Sequence, residues 1–184
     1  MHMKKMMILL AALMMASSSL SAAQDRRSDA ISAVRKAYKE AKEVCARSND
    51  SSIPRNDLTI TYHYMVPACG ETCDTIRGWF ELTQDEENWT NSYPIFFITR
   101  KYNIAARNFY EEYLFDRQSG KLLFVFLQGD VYTDDAGITV NEERYYYDER
   151  GLAAESIKGS RQQEDADIVR YAEALRQRLT LPDR

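Results

Sequence analysis

The spacing of apolar residues changes twice along the chain, and the first stretch has the period of a helix. Between Ser28 and Ala46, apolar side chains recur at steps of three and four residues, which places them on one helical face. These residues are Ile31, Val34, Tyr38, Ala41 and Cys45. Ser28 is a suitable N-cap for this helix. The polar segment Ser48–Arg55, which contains Pro54, predicts the loop that follows it.

From Leu58 to Lys158 the period becomes two residues, which is typical of half-buried strands. The connections that carry Gly120, Gly137 and Gly151 are too short for helical crossovers, so neighbouring strands should pair antiparallel. The predicted strands are Leu58–Met65, Thr75–Leu82, Ile95–Asn103, Arg107–Phe115, Lys121–Gln128, Ile138–Tyr147 and Leu152–Lys158. The polar, acidic segment Thr83–Tyr93 predicts an exposed loop between the second and third of them.

The last segment returns to helical spacing through Ile168, Ala172, Leu175 and Leu179, and Ser160 with Gln163 resembles a capping box. The pattern therefore predicts an α+β fold with an N-terminal helix, an antiparallel β-meander of about six or seven strands and a C-terminal helix. We expect both helices to cover the same face of the sheet.

The N-terminus has the three-part layout of a secretory signal peptide. Lys4 and Lys5 precede an apolar block, Met6–Ala16, which is too short to span a bilayer, and the small residues of Ser17–Ala23 follow it. We expect residues 1–23 to be removed between Ala23 and Gln24. Residues 24–184 then form a single α+β domain, periplasmic or secreted, with no membrane span after cleavage.

Composition excludes several classes of function. The chain has 184 residues, 24 basic and 28 acidic, and a formal charge of −4. Removal of Lys4 and Lys5 makes the exported part more acidic still, and its basic residues are scattered, so nucleic acid is not an expected partner. His63 is the one histidine left after cleavage, and no glycine-rich phosphate loop is present. No cofactor and no metal site is predicted.

Three segments share a pattern: the stretch Ile98–Phe126, the helix Val34–Lys42 and the segment Glu143–Leu152. In this pattern, which touches most of the chain after cleavage, the protein resembles uncharacterised small exported proteins of Bacteroides-like bacteria. The resemblance implies an exported helix-plus-meander protein and supplies no catalytic residue.

Export also bears on the three cysteines, because an oxidising compartment allows disulfides. We expect a bridge between Cys69 and Cys73, which a turn should hold near each other. Pairing of Cys45 with either of them is the alternative, and it would close a longer loop.

Two glutamate doublets, Glu111–Glu112 and Glu142–Glu143, are the candidates for catalysis. A glycosidase needs two carboxylates on either side of the scissile bond. Adjacent residues of a strand point to opposite faces, so each doublet can give one carboxylate to a face. The alternative hypothesis is accordingly a small glycan hydrolase that uses Glu112 and Glu143 as acid and base.

The preferred hypothesis is based on the tyrosines of the predicted strands. Tyrosine gives a contact surface both apolar area and a hydroxyl group. The candidate binding residues are Tyr102, Tyr110, Tyr113, Tyr145, Tyr146 and Tyr147. We expect an exported, non-enzymatic domain that binds a protein, peptide or glycan, of which an envelope hydrolase inhibitor is one form.

Overall fold

The structure, a computed structural model, describes residues 2–48, 56–85, 90–133, 137–161 and 163–180. Side chains are described from Gln24 onward, except at 84, 85, 90 and 91. The elements are α1 (His2–Arg47), β1 (Asp57–Val66), β2 (Gly70–Phe80), β3 (Thr83–Asp85), β4 (Thr90–Ser92), β5 (Ile95–Ile104), β6 (Arg107–Phe115), β7 (Leu122–Thr133), β8 (Gly137–Asp148), β9 (Gly151–Lys158) and α2 (Asp165–Leu179). The predicted α+β class, helix then antiparallel meander then helix, is confirmed.

Seven strands form the main sheet in the order β1-β2-β5-β6-β7-β8-β9, and each neighbouring pair is antiparallel. All seven predicted strands are present, with bounds shifted by a few residues. The predicted loop Thr83–Tyr93 instead contains a short hairpin, in which β3 and β4 pair apart from the main sheet. Of the predicted loop Ser48–Arg55, residues 49–55 lie outside the described part of the chain.

The two helices lie on opposite faces of the sheet, so the expectation that they share one face is wrong. Register aligns Phe97, Leu114, Phe124 and Tyr146 on one face, against which α1 packs. On each strand, a residue adjacent to one of these four points to the other face, which α2 covers. These adjacent residues are Ile98, Tyr113, Val125 and Tyr145. We call the two surfaces the α1 face and the α2 face.

The terminal helix α2 crosses the sheet with a fully apolar inner stripe of Ile168, Ala172, Leu175 and Leu179, all buried. Leu179 packs against Gly78, where a Cβ atom would lie only 2.8 Å from a leucine methyl. The predicted capping box is absent, because α2 begins at Asp165 after Glu164. Ser160 is instead bound to β8, since its carbonyl accepts a hydrogen bond from the Asn141 side chain at 2.7 Å.

The first helix starts before the predicted N-cap, so Ser28 lies within α1. Its inner residues Val34, Ala41 and Cys45 pack against Trp79 and neighbouring rings of the sheet. Ser48 anchors the end of this helix by accepting a 2.9 Å hydrogen bond from the indole of Trp79. In the described part of the chain, no helix combines the length and the apolar character that crossing a membrane requires.

Candidate functional site

The glutamate doublet of β6 places one carboxylate on each face of the sheet. Glu112 lies on the α1 face beside Phe126, and Glu111 lies on the α2 face beside Leu127. Register across β7 and β8 then puts Glu143 on the α2 face, directly opposite Leu127. Glu112 and Glu143, the predicted acid and base, are therefore separated by the sheet itself. No single glycosidic bond could contact both carboxylates.

Glu112 fastens α1 to the sheet. Its carboxylate is almost fully buried and accepts hydrogen bonds from the hydroxyls of Tyr38 and Tyr110, both at 2.6 Å. Lys42, one turn after Tyr38, completes the site at 3.0 Å from the same carboxylate. Burial, and secondly the hydrogen bond to Glu112, raise the pKa of Tyr38 well above its usual value. The phenol therefore stays protonated and keeps donating to the carboxylate.

Beside this anchor, α1 and the sheet leave an open pocket of about 350 Å³, which we call the α1-face pocket. It is lined by Val34, Arg35, Tyr38, Glu112, Phe124, Phe126, Arg144 and Tyr146. The rings do not stack flat: Tyr38 meets Phe124 edge-on at 5.6 Å, and Tyr146 is tilted against Phe124 at 5.1 Å. Concave apolar pockets with a few polar groups are the usual form of ligand sites.

Two arginines supply the positive charge of the α1-face pocket. The guanidinium of Arg144 lies 4.8 Å from the centre of the Phe126 ring and donates to Glu142 at 3.0 Å. Arg35 is exposed and lines the pocket from α1, and it has no ion-pair partner in the described part of the chain. The carboxylate of Glu112 already has three donors. The charge left for a ligand to meet is therefore positive.

The α2 face carries a buried ionic network instead. Arg100 forms a two-pronged hydrogen bond with Asp74, at 2.9 and 2.7 Å, and lies 3.5 Å from Glu111. Glu111 also accepts a hydrogen bond from the hydroxyl of Tyr113 at 2.8 Å. Burial raises the pKa of Glu111, although the nearby Arg100 opposes that shift. These groups saturate one another, which is typical of a network that stabilises a fold.

A smaller pocket of about 210 Å³ adjoins this network and is lined by Glu111, Glu143, Asn141 and Gln163, among others. The ring of Tyr102 is stacked on Phe109 at 4.8 Å, and the guanidinium of Arg100 lies over Tyr102 at 4.0 Å. The Tyr102 ring is therefore already in contact with two other side chains of this face.

The six candidate tyrosines are divided between the two faces. Tyr113, Tyr145 and Tyr147 are at most 5% exposed, in the core under α2, and the hydroxyl of Tyr147 donates to Asp165. Tyr102 lies half-buried on the same face. Tyr110 and Tyr146 are on the α1 face, but only Tyr146 lines the α1-face pocket.

The cysteines of the predicted bridge are free thiols in the structure, and so is Cys45. Cys69 lies in the turn between β1 and β2, whereas Cys73 is three residues into the extended strand β2 and pairs with His63, so the strand carries it about 10 Å from the end of that turn. A disulfide requires Cα atoms within roughly 4.4–6.8 Å. The structure therefore does not support the predicted pair. Cys45 is buried, which raises its pKa to about 12. His63 is exposed on β1, 3.9 Å from Glu71.

The sequence reasoning missed the helix side of the pocket. Arg35 was not among the candidate residues and Tyr38 was included only as an apolar position of the helix, but both border the pocket. A signal was present on the strands: Glu112, Phe126 and Arg144 are adjacent in register, which a hairpin alignment would have revealed.

The described residues contain no group of three or more histidine, cysteine, aspartate or glutamate side chains that could hold a metal ion. Comparisons with protein-family models, with curated proteins and with solved structures found no match.

Proposed function

We propose that this protein is an exported, non-enzymatic domain that binds its partner in the α1-face pocket. The observation that carries the proposal is the pocket itself: aromatic rings and two arginines border one open concavity, beside a helix. On the other face the acidic side chains are hydrogen-bonded within the core. The proposal needs no nucleophile, metal or cofactor.

Export is supported by the charged, apolar and small-residue segments of residues 1–23. The protein then works in the periplasm or outside the cell, where its partner is a protein or peptide. Inhibition of an envelope hydrolase is one form of such binding. N-terminal sequencing of the exported protein should begin at Gln24, and an intact N-terminus would contradict cleavage.

The pocket is tested by fluorescence titration with N-phenyl-1-naphthylamine, a neutral apolar probe. We expect saturable binding to the purified protein and a loss of about tenfold in affinity for Phe126→Ala, since one wall of the pocket is removed. Tyr132→Ala is the matched control, because Tyr132 is on the same strand but 59% exposed and outside the pocket.

Equal affinity of both variants for the probe would overturn the proposal. Far-ultraviolet circular dichroism and the urea midpoint of each variant show whether it remains folded. If Phe126→Ala proves unstable, Tyr146→Ala removes a different ring of the same pocket and provides the same test.

A further inference from the structure

The α1-face pocket combines an apolar interior with an excess of positive charge. Arg35 stands on the helix side and Arg144 on the β8 side, with Phe124, Phe126 and Tyr146 completing the walls. Glu112 is the one acidic residue among the described lining residues, and its charge is paired with Lys42. A complementary ligand therefore has an apolar group and a negative charge within the width of one pocket.

Arg144 can still bind an anion. A guanidinium has five N–H donors, and the hydrogen bond to Glu142 involves a single nitrogen. The Arg144 side chain is 37% exposed, so its pair with Glu142 is screened by water and easily exchanged. Arginine also matches the geometry of a carboxylate better than any other side chain does.

The size of the pocket limits what can carry both groups. About 350 Å³ lies at the low end of small-ligand pockets, enough for one large side chain and its carboxylate. In a polypeptide, only the last residue carries a free carboxylate on the same carbon as its side chain. The pocket is open to solvent on one side, so the preceding chain can leave it.

We infer that the α1-face pocket binds the carboxyl-terminal residue of a partner polypeptide, with a large apolar side chain against Phe124 and Tyr146 and the carboxylate between Arg35 and Arg144. This inference rests on the proposed function, because it names what enters the same pocket. It goes further by requiring a carboxylate on the same carbon as the apolar side chain, which a neutral glycan or an internal peptide segment does not supply.

The test compares three acetylated peptides by isothermal titration: Gly-Ser-Gly-Ser-Phe with a free carboxylate, the same peptide with a terminal amide, and the free acid ending in Ala. We expect the Phe acid to bind about tenfold more tightly than the amide, because one charge-assisted hydrogen bond changes affinity by about that factor. The Ala acid should also bind more weakly. The double variant Arg35→Gln, Arg144→Gln should lose the preference for the acid over the amide.

Arg107→Gln is the matched control, because Arg107 lies outside the pocket, near the rings of Phe109 and Tyr132. It should retain the full preference for the acid. Acid and amide binding alike to the unaltered protein would overturn the carboxylate inference and leave the pocket as a binding site. Binding of the naphthylamine probe but of no peptide would overturn the inference alone. Failure of both probe and peptides would overturn the proposed function as well.

Discussion

The two faces of the sheet are covered by helices that pack in opposite ways. On the α2 face, large side chains of α2 are fully buried, and each buried charge in the Asp74–Arg100–Glu111 network has a partner. On the α1 face, α1 buries mainly small residues, and pockets lie on both sides of it, one of about 350 and one of about 510 Å³. Dense packing excludes ligands, whereas loose packing leaves room for them. The α2 face therefore contributes most to the stability of the fold, and the binding site that we propose is on the α1 face.

The sharpest test of this division is the cost of truncating one buried residue on each helix. Leu175→Ala on α2 should lower the free energy of unfolding by about 3 kcal/mol, since its completely buried side chain leaves a cavity. Val34→Ala on α1 should cost only about 1 kcal/mol, because its site already adjoins two pockets. Urea unfolding measures both values. Equal losses would mean that the two faces do not differ in packing.

The anchor of α1 should account for the next largest effect. Glu112→Gln removes the charge that Lys42 and two tyrosine hydroxyls share, which should cost about 2 kcal/mol. Hydrogen exchange should show faster opening of α1 while α2 stays protected. Glu142→Gln is the matched control on the same face, where a more exposed ion pair with Arg144 predicts a loss of less than about 1 kcal/mol. Parallel loss of protection in both helices would argue against a separate anchor.

The α2 network predicts a dependence of stability on pH. The pKa of Glu111 is raised above 4.5 in the folded state, mainly by burial, so the fold favours its protonated form. Its contribution to stability is complete below pH 4.5 and decreases as the pH rises through the folded pKa. As the pH rises, the unfolding free energy of the unaltered protein should therefore decrease relative to that of Glu111→Gln. A difference that is constant with pH would contradict the assignment.

The smallest effect is expected near the middle of α1, where Arg26 donates two hydrogen bonds to Asp148 at the end of β8. The hydrogen bond from Arg26 lowers the pKa of Asp148 to about 2. This contribution is present above about pH 4 and disappears as the pH falls towards 2. The melting temperature of Asp148→Asn should therefore lie slightly below that of the unaltered protein at pH 7, and the two should converge near pH 2.

The strands and their antiparallel order were predictable because they depend on local spacing and short turns. The sheet face that each helix covers was not predictable. The period of α1 shows which side of the helix is apolar, but not which face of the sheet that side packs against. The prediction of a capping box at Ser160 was wrong for a similar reason. A tertiary hydrogen bond from Asn141 holds Ser160 outside α2, and a local motif does not reveal it.

The candidate site was predictable only in part. Alternation along β6 shows that Glu111 and Glu112 diverge, but the partner of each carboxylate depends on register across β7 and β8. Six tyrosines were predicted to form a binding surface, yet three of them, Tyr113, Tyr145 and Tyr147, are in the core because α2 covers them. The pocket itself arises where α1 lies against the sheet, and that position is a tertiary property.

The order of strands in the main sheet also has a kinetic consequence. Each strand pairs with its nearest neighbours along the chain, with only the β3–β4 hairpin inserted between β2 and β5. Such local pairings close small loops, which favours rapid folding. α2 is different, because Tyr147 of β8 lies near its start and Gly78 of β2 near its end. The surface that receives α2 exists only once β2 and β8 belong to one sheet, so we expect this helix to dock late.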